Sequence, residues 1–227
     1  MIGFYNYTVV LTYLSLISSV FGMTQAIHGH FKTAIICLAL SGLCDMFDGK
    51  IARTKKDRTE DEKAFGIQID SLCDVVCFGA FPALICYLLG VRGILGLLII
   101  SVYCVCSVIR LAFFNVLEGK RQQTEGGANH YYHGLPITSM SVVLPLIFMT
   151  QFFLPDFVFL ILLHIVPLVV GILFIVDFPF RKPNNRILAV LVTIVAAALI
   201  ALIVYSTFRV PKPHEDSSPI IDKIFEE

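Results

Sequence analysis

The chain has 227 residues, of which 57% are hydrophobic and 15% are charged, and its formal net charge is zero. The mean hydropathy of +0.82 excludes the composition of an ordinary soluble domain. The zero net charge gives no indication of a nucleic-acid partner, and we expect none, so the information about function lies in where the charges are placed.

Seven apolar stretches are long enough, or nearly so, to form helices of roughly 20 residues that cross the bilayer core. The second is long enough only if its helix continues from Asp45 to Ala52. Because backbone groups inside lipid must be paired internally, we predict an all-α polytopic membrane bundle of six to seven transmembrane helices. The stretches run from Thr8 to Ile27, Thr33 to Phe47, Gly66 to Leu89, Ile94 to Leu117, Pro136 to Phe152, Phe157 to Val176 and Ile187 to Phe208.

Basic residues are concentrated in alternate polar breaks between these stretches. Residues 50–63, 118–133 and 177–186 carry most of the lysines and arginines, whereas the opposite breaks hold Lys32 and Arg92. By the positive-inside rule, the basic breaks lie on the cytoplasmic side of the cell membrane. We predict one membrane domain over residues 1–210 and a polar tail over residues 211–227.

Four aspartates stand at the ends of the second and third stretches. Asp45 and Asp48 are three residues apart, and Asp70 and Asp74 are four apart, so each pair lies on one face of a helix. Antiparallel neighbouring helices would bring the four carboxylates into one pocket. Because clustered carboxylates at membrane depth need positive compensation, we predict a site for two divalent cations, Mg²⁺ or Mn²⁺ with Ca²⁺ as an alternative, suited to phosphoryl transfer.

Small residues and one arginine accompany these aspartates. Gly49, Ala52 and Gly66 would allow a substrate to approach the helix ends closely, and Arg53 offers a planar fork for phosphate oxygens. One aspartate pair alone would favour a structural salt bridge. The fixed order of four aspartates with these small residues favours a phosphate-binding site instead.

The segment as a whole, Asp-x-x-Asp-Gly-x-x-Ala-Arg followed by a spacer and Gly-x-x-x-Asp-x-x-x-Asp, resembles the signature of the CDP-alcohol phosphatidyltransferase family. Every fixed position is matched, although the spacer is longer than in the commonest family form. The resemblance implies that Asp74 is the general base. It further implies metal ligands at Asp45, Asp48, Asp70 and Asp74, and a nucleotide site lined by Gly49, Ala52, Arg53 and Gly66.

A narrower resemblance covers residues 65–82, which are similar to the corresponding segment of bacterial and archaeal phosphatidylserine synthases. Residues 110–115 and 134–136 are similar to further elements of that subfamily, although Phe113 replaces its second arginine. The resemblance implies transfer of the phosphatidyl group of CDP-diacylglycerol to L-serine with release of CMP. It also implies a homodimer surrounded by membrane lipids.

Arg110 lies inside the fourth apolar stretch, where a charge is costly and suggests a functional role. We assign Arg110 and Asn115 as candidates for binding the serine carboxylate or a lipid phosphate, and a salt bridge to one of the aspartates explains Arg110 equally well. In the first helix, Asn6, Thr12, Ser15 and Ser18 could face the nucleotide, but hydroxyl groups in membrane helices more often bond to their own backbone or to a neighbouring helix.

Three alternative functions stay open. Glycerol phosphate or inositol phosphate could replace serine as the acceptor. A membrane prenyltransferase also holds a metal-bound diphosphate on aspartate pairs, but the glycines, alanine and arginine of the signature speak against it. A cation transporter could line its pathway with carboxylates, but here the aspartates gather toward one face of the membrane.

Overall fold

The computed structural model describes residues 3–4, 7–52, 54–55, 57–123, 131–181, 193 and 196–197. These ranges form a bundle of α-helices, which confirms the predicted all-α class. The helices are α1 (Val10–Ile27), α2 (Phe31–Ala52), α3 (Glu60–Asp74), α4 (Phe81–Leu88), α5 (Gly93–Gln123), α6 (Met140–Thr150) and α7 (Asp156–Ile175). A single π-helical turn, Val75–Ala80, joins α3 to α4, so that the two run as one long helix.

Among the described residues, four helices are long and apolar enough to cross a membrane: Tyr7–Ile27, Glu60–Leu88, Gly93–Gly119 and Asp156–Ile175. The helix over Ile137–Thr150 is apolar but shorter. These helices confirm a polytopic membrane protein. The seventh predicted stretch, residues 187–208, and the predicted tail, residues 211–227, lie outside the described residues.

Helix α2 continues through the motif, as its length requirement predicted. It has 22 residues and ends at Ala52. It is not among the four membrane-crossing candidates, because Asp45, Asp48 and two lysines make it more polar than the others. Helix α2, which carries the first half of the motif, is therefore long enough to span the bilayer. It contains too many charged residues to count among the membrane-crossing helices by composition.

The core of the bundle consists of large apolar side chains from several helices, including Phe78, Phe81, Tyr103 and Leu163, all fully buried. On α5, by contrast, side chains such as Leu98 point outward and are more than half exposed. A contiguous apolar exterior on a chain of this composition is what a lipid solvent requires.

Small residues allow the helices around the site to pack closely. Gly22 of α1 lies directly against Phe81 and Cys37, and Gly42 of α2 lies directly against Ser141 of α6. A Cβ atom at either glycine would overlap its neighbour. Such contacts are typical of membrane helices, which associate through small residues rather than through a hydrophobic driving force.

A short antiparallel β-ladder is the exception to the helical architecture, and the sequence patterns did not predict it. Strand β1 (Tyr131–His133) pairs with β2 (Pro179–Arg181). Gly134, the residue after β1, has a φ of 76°, which favours glycine. A Cβ atom there would also lie 3.0 Å from the carbonyl oxygen of Val176, so glycine is required on both grounds. The ladder joins two of the three basic breaks, as expected if both lie on one side of the membrane.

Candidate active site

The four predicted aspartates converge where the end of α2 faces the second half of α3. Asp45, Asp70 and Asp74 each offer one carboxylate oxygen, and these three atoms lie within 4.8 Å of one another. Asp48 lies beside them, with its carboxylate group close to that of Asp70. The convergence expected from antiparallel neighbouring helices is present, while the roles of the four side chains as metal ligands stay predictions.

The burial of these carboxylates fits a divalent cation. Asp48 and Asp74 are each only 8% exposed. Among the described residues, the Oδ1 atom of Asp70 is buried and has no hydrogen-bond partner. A buried carboxylate oxygen without a partner is costly, and several carboxylates in one place suit hard cations such as Mg²⁺ or Mn²⁺.

Two lysines near the site form ion pairs with glutamates. Those pairs are Lys55 with Glu62, at 3.0 Å, and Lys63 with Glu60, at 2.7 Å. Neither includes one of the four aspartates. These two lysines thus do not offset the charge of the cluster, which is consistent with bound cations.

Hydroxyl groups of α1 contact α2 at two levels. Thr12 Oγ1 donates a 3.2 Å hydrogen bond to Asp48 Oδ2 and thereby orients one carboxylate of the cluster. Further from the site, Ser15 and Ser18 donate to main-chain carbonyls of α2, namely those of Ser41 and Cys37. Ser15 and Ser18 are thus helix-packing residues and Thr12 reaches the aspartates, while Asn6 lies outside the described residues.

The predicted nucleotide residues surround the same end of α2. Gly49 is open, because a Cβ atom there would meet nothing within 4 Å. Ala52 is half-buried and is the last residue of α2. Gly66 is covered by the guanidinium group of Arg58, whose Nη2 atom would lie 2.6 Å from a Cβ atom at Gly66. Arg53 lies outside the described residues.

The spacer between the two halves of the motif ends in a well-formed helix cap. Thr59 and Glu62 form a capping box at the start of α3, with each side chain accepting a 3.1 Å hydrogen bond from the main-chain N–H of the other residue. Lys55 pairs with the same glutamate. These contacts fix where α3 begins and thus where Gly66 and the second aspartate pair lie.

The two tentative acceptor residues of α5 face different neighbours. Arg110 is 5% exposed, its Nε atom donates a 3.0 Å hydrogen bond to the carbonyl of Leu135, and its guanidinium group lies 5.9 Å from the centre of the Phe114 ring. Asn115 Oδ1 accepts a 2.6 Å hydrogen bond from Ser71 of α3. The sequence patterns gave no signal for either the Leu135 or the Ser71 contact.

The π-helical turn begins immediately after Asp74 and is held by α5. The Tyr103 hydroxyl donates to the carbonyl of Phe78 within the turn, and Ser107 packs closely against Gly79. Single π-helical turns occur frequently at functional sites. Here the turn sets the direction in which the helix leaves the aspartate cluster.

The comparisons with known proteins agree with the motif and its geometry. The family model described as CDP-alcohol phosphatidyltransferase matches residues 5–162, which is more than half of the chain. The chain therefore belongs to the CDP-alcohol phosphatidyltransferase family.

Several curated proteins are similar to this chain. Archaetidylserine synthase of Methanothermobacter thermautotrophicus is 33% identical over 145 residues, covering 63% of this chain and 58% of that protein. CDP-diacylglycerol–serine O-phosphatidyltransferase of Saccharomyces cerevisiae is 33% identical over 118 residues, 51% of this chain and 41% of the yeast protein. The protein of that name from Mycobacterium bovis is 30% identical over 133 residues, 58% and 45% of the two chains. The chain thus spans about half the length of these relatives.

Proposed function

We propose that this protein transfers the phosphatidyl group of CDP-diacylglycerol to the hydroxyl group of L-serine and releases CMP. The observation that carries the proposal is the meeting of Asp45, Asp70 and Asp74, with oxygen atoms within 4.8 Å, inside the family signature. The choice of serine is supported by the names of the similar proteins, each of which is a serine-transferring or archaetidylserine-forming enzyme.

The end of α2 provides the nucleotide side of the site. The open face at Gly49 leaves room for CDP-diacylglycerol to approach the backbone, and Ala52 and Gly66 complete this side. The family signature assigns Arg53 to the same nucleotide. Two divalent cations, Mg²⁺ or Mn²⁺, held by Asp45, Asp48, Asp70 and Asp74, would supply electrostatic stabilisation of the charge that develops on the diphosphate oxygens.

Asp74 is the general base of the proposed reaction. It accepts the proton of the serine hydroxyl group as the serine oxygen bonds to the phosphorus of the phosphatidyl group. The bond between that phosphorus and the oxygen of CMP breaks, and CMP leaves with the bonding electron pair. Because Asp74 is only 8% exposed, the proton is transferred in a site largely closed to bulk water.

The acceptor side of the site is assigned to α5. Arg110 is the proposed binding residue for the serine carboxylate or a lipid phosphate, and its burial, at 5% exposed, supports a functional role for its charge. Asn115 is held at the α3–α5 interface by Ser71, the residue after Asp70. We further propose that the protein works as a homodimer. We also propose that it lies in the cytoplasmic membrane with the site facing the cytoplasm, and the distribution of basic residues supports this orientation.

The proposal is tested by measuring CMP release from CDP-diacylglycerol by the purified protein in detergent. Serine, glycerol phosphate and inositol phosphate are compared as acceptors, each with Mg²⁺, with Mn²⁺ and with a chelator. We expect CMP release to require serine and a divalent cation, and the lipid product to be phosphatidylserine.

Other outcomes would point to the alternative functions. CMP release with a different acceptor would retain the chemistry and change the substrate. Transfer from a prenyl diphosphate would indicate a prenyltransferase. Metal flux into vesicles without CMP release would indicate a transporter.

A further inference from the structure

Arg58 belongs to the long spacer, but its side chain lies on the nucleotide side of the proposed site. Its Nη1 atom donates to the carbonyl of Ala52 and its Nη2 atom to the carbonyl of Glu62, both at 3.3 Å. The same guanidinium group covers Gly66. Arg58 therefore bridges the end of α2 and the start of α3, over two of the residues assigned to the nucleotide.

The present partners of the guanidinium group satisfy it poorly. Its Nε atom is buried and has no hydrogen-bond partner in the part of the chain that the structure describes. Its two acceptors are uncharged carbonyls at the long end of the hydrogen-bonding range. Neither the Lys55–Glu62 nor the Lys63–Glu60 ion pair includes Arg58. A half-buried guanidinium group with such partners is suited to an anionic ligand.

We propose that Arg58 is a substrate-binding residue that contacts a phosphate of the cytidine diphosphate group. A guanidinium fork matches phosphate oxygens in geometry and charge. This inference rests on the proposed function, and it adds a residue from the spacer, outside the fixed positions of the signature. A longer spacer would then contribute to nucleotide binding rather than only connect two helices.

The experiment measures equilibrium binding of CMP and of cytidine to the purified protein in detergent with Mg²⁺. Arg58→Gln removes the charge, Arg58→Lys keeps the charge without the fork, and Lys63→Ala is the control, since it removes a charge that already pairs with Glu60 on the surface of α3. We expect Arg58→Gln to weaken CMP binding by about tenfold or more and Arg58→Lys to weaken it less. Cytidine binding and the Lys63→Ala variant should be unchanged.

The same variants are compared in the transfer reaction. We expect Arg58→Gln to raise the KM for CDP-diacylglycerol and to leave the KM for serine unchanged. Equal CMP binding by wild type and Arg58→Gln would overturn the assignment of Arg58 while leaving the proposed function intact. Equal weakening of CMP and cytidine together with a lower melting temperature would show instead that Arg58 only anchors the spacer. A wild-type protein that binds no CMP would overturn the proposed function itself, and this inference with it.

Discussion

The Ser71 hydroxyl group donates a 2.6 Å hydrogen bond to Asn115 Oδ1, which links α3 to α5 one residue after Asp70. Because removing either partner breaks the same bond, we expect Ser71→Ala and Asn115→Ala each to lower kcat/KM for serine by about fivefold, corresponding to about 1 kcal/mol. The double variant should be little worse than either single one. A double-mutant cycle on steady-state rates measures this coupling.

Additive losses would contradict that expectation and would indicate that Asn115 acts on the acceptor independently of Ser71. Ser101→Ala is the matched control, because Ser101 is an exposed serine on α5. Melting temperatures of all four variants separate a local effect on the site from a general loss of packing.

Thr12→Val tests the hydroxyl group that orients Asp48. A hydrogen bond to a charged group contributes about 1.5–3 kcal/mol, so its loss should raise the Mg²⁺ concentration for half-maximal CMP release by about tenfold or more. Thr24→Val on the same helix is the control, because Thr24 donates to the main-chain carbonyl of Phe21 and is exposed. An unchanged Mg²⁺ requirement in Thr12→Val would show that this contact does not support metal binding.

Asp74→Asn distinguishes the role of Asp74 as a general base from its role as a metal ligand. A general base contributes about 10²–10⁴-fold to a rate, so we expect turnover to fall by at least about 100-fold at saturating Mn²⁺. The stabilisation of the protein by Mn²⁺, followed as a shift in melting temperature, should be retained in part, because Asp45, Asp48 and Asp70 remain. Near-normal turnover with Mn²⁺ still bound would remove Asp74 from the role of general base.

Arg110→Ala distinguishes an acceptor-binding role from a structural one. If Arg110 receives the serine carboxylate, the KM for serine should rise by about tenfold or more while the KM for CDP-diacylglycerol stays the same. An unchanged serine KM with a lower melting temperature would support a structural role through the Leu135 carbonyl. Arg92→Ala, in the opposite loop beside the ring of Tyr87, controls for loss of a positive charge.

Gly49→Ala and Gly42→Ala form a pair that separates substrate access from packing. A methyl group at Gly49 meets nothing within 4 Å, so this variant should fold, with a melting temperature equal to or slightly above that of wild type. It should bind CMP more weakly. A methyl group at Gly42 overlaps Ser141, so this variant should be destabilised by about 1–3 kcal/mol. Normal CMP binding by Gly49→Ala would argue against substrate contact at this position.

Local sequence patterns were sufficient to predict which helices carry the four aspartates and that each pair shares one helix face. The spacing of Asp45 and Asp48, and of Asp70 and Asp74, is a property of one helix face, and two neighbouring antiparallel helices then bring the pairs together. The same reasoning correctly predicted that the second helix extends to Ala52. These features depend on periodicity and length, which a single sequence displays.

Contacts between distant segments could not be predicted in this way. The hydrogen bond from Ser71 to Asn115 spans 44 residues, and the ladder between β1 and β2 joins segments that are still further apart. The position of Arg58 depends on how the spacer folds back over Gly66, and in the sequence it was only one charge among many in that spacer. Such relationships follow from tertiary packing rather than from residue spacing.

The charges of α2 have a consequence for how the protein enters the bilayer. A helix with two aspartates and two lysines inserts into lipid less readily than an apolar helix, because a charge in the hydrocarbon region is costly. Helix α1 is apolar, and its Thr12, Ser15 and Ser18 hydroxyl groups bond to α2. During biosynthesis we therefore expect α1 and α2 to insert together as a helical hairpin, with α1 acting as an intramolecular chaperone for the helix that carries Asp45 and Asp48.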